Sequence, residues 1–81
     1  MNFRDLVDAA RRRGVAKSRR PRTMHWVAGR CELSMSHLYN LINGVKGAPE
    51  WTVARIAKGL RFPYADVEKA LARSRAESEV L

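Results

Sequence analysis

Three side chains in this sequence have the chemistry of a nucleophilic or metal-binding centre: Cys31, His25 and His37. A reactive thiolate needs a base or cation beside it and access to solvent, and a zinc site needs paired Cys or Cys/His ligands at short spacing. Neither pattern is present. Cys31 is the single cysteine, and it shares a helical stripe with Met24, Val27 and Ala28, where a thiol behaves as a small hydrophobe. One cysteine excludes an intrachain disulfide and fits a reducing, cytoplasmic setting. No glycine-rich phosphate loop accompanies it. The sequence therefore reads as a chain with no catalytic residue, no metal, no cofactor and no evident small-molecule ligand.

Charge is the stronger chemical signal. Sixteen Lys and Arg against eight Asp and Glu give a net charge of +8, which points to a polyanionic partner without choosing between nucleic acid, acidic lipid and acidic protein. The charge is uneven: residues 1–31 carry +7, residues 32–64 carry +2 and residues 65–81 carry −1. Arg11, Arg12 and Arg13 join VAKSRRPR (residues 15–22) in a basic cluster interrupted by Gly14. Two readings of residues 14–22 stand side by side. One is a solvated connection, the usual meaning of a charge run; the other is an arm in which Arg19, Arg20 and Arg22 reach phosphates or a minor groove. Arg55, Lys58 and Arg61 read as a solvated face. No run approaches the ~18–20 apolar residues of a membrane span, and the acidic residues in MNFRDLVDAARRRG do not fit a secretory signal.

The elements that must position these groups are helices, because helical periodicity dominates and no alternating run competes as a strand. The length fits one domain over residues 1–81, small enough for its monomer to be marginal and for dimerisation to help cover apolar surface. Five helices are predicted, an all-α bundle. The first, Phe3 to Arg13, places Phe3, Leu6, Val7 and Ala10 on one face, with Gly14 as its stop. The second, Met24 to Cys31, opens after Thr23, and the third, Met35 to Ile42, opens after Ser34, whose hydroxyl can accept from the amide of Ser36 or His37. The third turns Met35, Leu38, Leu41 and Ile42 inward and ends at Asn43-Gly44. The fourth begins near Pro49 or Glu50 and buries Val53, Ile56, Ala57 and Leu60, with Trp51 at its edge. The fifth, Pro63 to Ser78, has a thinner stripe of Tyr64, Val67, Ala70 and Leu71 and polar last turns that are expected to fray unless covered.

The second and third helices, joined by Glu32-Leu33-Ser34, have the layout of a helix-turn-helix. Ala28 is small where two helices would cross, Leu33 is apolar in the turn, and Leu38 and Leu41 lock the third helix from beneath. Residues 24–43 resemble the helix-turn-helix of the Cro/CI (Xre) repressors, and the wider likeness runs to residue 60. LSMSHLYNLINGVKGAP (residues 33–49) is similar to that family's turn, recognition helix and following loop, and VARIAKGL (residues 53–60) to its fourth helix. Two positions depart from the family pattern: Glu32 stands where glycine is usual, which predicts left-handed backbone strain, and Met24 replaces the glutamine that opens the second helix.

The resemblance implies a lambda-repressor-like bundle and a recognition helix exposing Met35, Ser36, His37, Tyr39 and Asn40 to base edges. Asn40 would be the leading base reader, since an Asn amide pairs bidentately with adenine. Ser36, Met35, Tyr39 and His37 would add base or phosphate contacts, with partial core packing the competing role for Met35. Thr23, Lys46 and the amides around Asn43 and Gly44 occupy the family's phosphate positions. The implied protein is a transcriptional regulator, a repressor that binds an inverted repeat in double-stranded DNA as a homodimer, nucleoid-associated when bound; residues 64–81, on which the resemblance says little, are the candidate dimerisation element. Two alternatives remain: an RNA-binding module that works through its arginine-rich segment, and an antitoxin or co-regulator acting through a protein partner.

Overall fold

A computed structural model describes residues 1–13 and 20–79; Gly14, Arg19, Val80 and Leu81 lie outside the described residues. The described chain is all-helical, in the order α1 (Phe3–Arg13), α2 (Met24–Cys31), α3 (Met35–Ile42), α4 (Glu50–Leu60) and α5 (Tyr64–Glu79). Three of the starts carry a side-chain cap. Asn2 opens α1 reciprocally: its Oδ1 accepts from the Asp5 amide at 2.9 Å, and its own amide donates to Asp5 Oδ2 at 3.2 Å, a capping box with a short acid. Thr23 Oγ1 accepts from the Trp26 amide and Ser34 Oγ from the His37 amide, both at 3.1 Å. Pro49 precedes α4 with extended backbone and no side-chain cap.

Three helices end by variations on one device, a left-handed residue just past the last turn. After α2 that residue is Glu32 (φ 56°); its amide donates to Gly29 O at 3.2 Å and the Leu33 amide to Ala28 O at 2.9 Å. After α3 it is Gly44 (φ 71°), with Gly44 N–H on Leu41 O and Val45 N–H on Asn40 O. After α4 it is Arg61 (φ 58°), with Phe62 N–H on Ala57 O. Only Gly44 is a glycine, and there a second constraint applies: a Cβ would collide with the Ser74 carbonyl of α5.

The core follows the apolar stripes. Phe3, Leu6, Val7 and Ala10 of α1, Val27, Ala28 and Cys31 of α2, and Leu38, Leu41 and Ile42 of α3 are buried together with Val53, Ile56, Leu60, Val67, Ala70 and Leu71. The α1 helix packs on α5, while α2 packs on α4 and α3 on α1, α2 and α5. Ala28 is buried as expected of a crossing residue, but the closest approach of α2 and α4 falls at Gly59, where a Cβ would strike the Arg30 carbonyl.

Two packing expectations are corrected. Tyr64 is exposed rather than on the stripe of α5, because that stripe runs Val67, Ala70, Leu71 and on to Ser74. Ala57 is only half-buried. The described last turns of α5 are covered by the start of α1: Ser74 Oγ is buried and accepts the Phe3 amide at 2.8 Å, and Asn2 Nδ2 donates to Glu77 Oε2 at 2.8 Å. The polar end of α5 thus caps α1. Among the described residues no helix is long and apolar enough to cross a membrane.

Candidate nucleic-acid interface

The sequence of α3, MSHLYNLI, holds no charged residue, so what it shows to solvent is neutral and polar. Ser34, Ser36 and Tyr39 are exposed, and His37 and Asn40 are half-buried at the margin of that face. Leu38, Leu41 and Ile42 anchor the opposite side. The Asn40 side chain makes no hydrogen bond among the described residues, so its carbonyl and amino group are both available to an incoming partner. Met35 is half-buried and packs against the core, so most of its surface serves packing rather than the exposed face.

The cations at the C-terminal end of this neutral face come from outside α3. Lys46 is exposed in the loop after α3. Asn43 is exposed, and its Oδ1 accepts from Arg4 Nη2 at 3.2 Å, which turns the Asn43 amino group away from α1. Arg4 is a residue that the sequence did not single out: it comes from α1 and reaches the end of α3 across 39 positions, a contact with no local signature. Thr23 is exposed and its hydroxyl, used as a cap acceptor, keeps its proton for another partner. Arg20 is exposed.

Two expected phosphate contacts change character. Gly44 is buried and its amide donates to Leu41 O at 3.2 Å, while the Asn43 amide donates to Tyr39 O at 2.9 Å. Both amides serve the end of α3, so the outward-facing donors there are the side chains of Asn43, Arg4 and Lys46. Arg22 is half-buried; its amide donates to Arg11 O, its carbonyl accepts from Arg11 Nε at 2.5 Å, and its guanidinium lies 5.5 Å from the Trp26 ring. That geometry ties the start of α2 to α1 instead of leaving Arg22 as a loose arm.

Trp26 is the aromatic that the sequence analysis passed over. It lies beside the buried stripe, packed partly against the core, with Arg22 and Arg30 over its ring at 5.5 and 6.0 Å. Trp26 and Arg30 are i, i+4 on α2, a pair legible in the sequence as one helix face, whereas Arg22 precedes the helix and reaches the ring from outside it. Trp51 is exposed on α4, with Arg55 5.0 Å over its ring.

The nucleophile candidates separate. Cys31 is buried in the core, and burial pushes its thiol up to about 11, with Arg30 opposing that shift. It is therefore protonated near neutral pH and packs as a hydrophobe, whereas His25 is exposed and His37 half-buried on α3. Among the described residues no group of His, Cys, Asp and Glu could hold a metal ion.

Comparison with known proteins finds no family model, no curated protein and no solved structure that matches this chain.

Proposed function

We propose that this protein is a sequence-specific double-stranded DNA-binding regulator of the Cro/CI type, with α3 as its recognition helix. One observation carries the reading: α3 offers an uncharged polar face, including an Asn40 side-chain amide with no hydrogen-bond partner among the described residues, and the cations at its C-terminal end, Arg4 and Lys46, come from other elements. Phosphate contacts fix register while neutral polar side chains read base edges, and this surface separates the two tasks in that way. A membrane or a purely electrostatic partner would reward charge on α3 as well as around it.

The roles follow from placement. Asn40 and Ser36 read bases, with Tyr39 and His37 at the sides; Lys46, Arg4, Asn43, Thr23 and Arg20 hold the flanking backbone. As a dimer on an inverted repeat, two copies of α3 would occupy major grooves about one helical turn, ~34 Å, apart, and such occupancy represses by excluding polymerase. The test is selection from random duplex DNA at about 150 mM salt, in parallel with a random RNA pool. Enrichment of a symmetric duplex motif supports the reading. Equal retention of RNA with no enriched motif would transfer the function to the arginine-rich segment.

A further inference from the structure

A second basic surface lies where the C-terminal ends of α1, α2 and α4 meet. Two adjoining grooves share Arg30, Gly59 and Arg61, with Arg13 and Trp26 at one end and Arg55 and Lys58 at the other. No residue of α3 lines either groove. Among the described residues the one carboxylate lining this trough is Glu32, already 3.7 Å from Arg55 Nε.

The trough is organised rather than a loose collection of charges. Arg30 Nε donates to Gly59 O at 3.1 Å, and Arg13 donates to the Leu60 and Arg61 carbonyls while its guanidinium covers the Phe62 ring at 4.4 Å. Each guanidinium is fixed through part of its donor fork, and the remaining N–H groups are left for an acceptor. Helix C-termini attract cations, which is the ordinary reason for arginines here. Three such ends supply about one and a half negative charges together, however, and with Glu32 they leave roughly two and a half of the five positive charges uncompensated.

We propose that this trough seats the phosphodiester backbone of a second nucleic-acid segment, apart from the one facing α3. An acidic peptide is the competing occupant, and polyglutamate stands for it in the test below. The proposal depends on the regulator reading only in calling this segment the second; backbone binding by the trough stands by itself.

Gly29 provides a clean test, since it is exposed on the trough and a Cβ there meets nothing within 4 Å. Gly29→Glu adds a carboxylate to the trough without displacing a cation or creating a clash, and Gly29→Ala is its control. A Lys58→Gln, Arg61→Asn double variant removes two cations and keeps a residue tolerant of left-handed backbone at position 61. The full chain is titrated with a random-sequence duplex of about 20 bp, and with a single strand of that length, while the amide resonances are followed by NMR. Shifts at Arg30 and Gly59 are expected beyond those at Ser36 and Asn40. Their apparent affinity should fall about tenfold in Gly29→Glu and in the double variant, and stay level in Gly29→Ala. The stronger of the duplex and single-strand responses identifies the source of the backbone. Trough amides that do not move, that keep their affinity in Gly29→Glu, or that respond more strongly to polyglutamate than to nucleic acid overturn the proposal. Trough shifts without α3 shifts would instead refute the regulator reading and leave the trough intact.

Discussion

Glu32 occupies a position that costs a side chain about 1 kcal/mol or more, since its φ of 56° is left-handed. Its one compensation is an exposed ion pair with Arg55 at 3.7 Å, and such pairs contribute little. Glu32→Gly should therefore stabilise the fold by about 0.5–1 kcal/mol and raise Tm by roughly 2–6 °C; an unchanged or lower Tm in a thermal melt would show that the backbone strain is offset elsewhere. Cys31 gives a prediction of opposite direction. Its thiol is raised from 9.0 to about 11 on folding, so the folded state holds the proton more tightly than the unfolded chain. Stability from this group is intact below pH 9 and declines as pH rises towards 11. Denaturant melts across that interval should show a decline that Cys31→Ala flattens, and thiol reagents should label the native protein only as fast as it opens.

At the scale of elements, the start of α1, capped locally by Asn2, is also held by α5. The Phe3 amide is buried and donates to Ser74 Oγ at 2.8 Å, so Ser74→Ala strands a buried donor and should cost about 1–3 kcal/mol. A loss below about 0.5 kcal/mol in urea melts would mean that α1 does not depend on this bond. The same bond explains where the sequence was silent. Apolar periodicity made the inward faces of α1 to α4 legible, and Thr23 and Ser34 marked two helix starts. The end of α5 read as loose because Ser74, Glu77 and Ser78 are polar, and their partners Asn2, Phe3 and Gly44 are about thirty or more positions away. Gly44 was legible as a turn residue, but its burial under α5 was not, and that burial removes its amide from the phosphate set. The contact of Arg4 with Asn43 was hidden for the same reason.

The whole molecule shows a division of charge that no single helix reveals. Arg4 and Lys46 stand at the end of a neutral α3, five further cations line the trough between α2 and α4, and the segment from residue 65 onward is close to neutral. A protein that holds several phosphates releases counterions on binding, so affinity for any duplex should fall steeply, by about three orders of magnitude or more between ~50 and ~200 mM salt if six or more phosphates are engaged. A flat salt response would contradict the electrostatic part of the account. The candidate base-reading face was legible only through its resemblance to a known motif, since composition and charge point to a polyanion and no further. The structure adds the burial that withdraws most of Met35 and the open Asn40 amide.

The most direct test of the central claim is duplex selection repeated with Asn40→Ala and, as a control remote from α3, Lys58→Gln. The account predicts a symmetric motif for the unsubstituted chain that loses information at one symmetry-related pair of positions in Asn40→Ala, corresponding to about 1–3 kcal/mol of discrimination, while Lys58→Gln keeps the motif. An identical motif in Asn40→Ala and the unsubstituted chain, or no motif in either, would contradict base reading by α3.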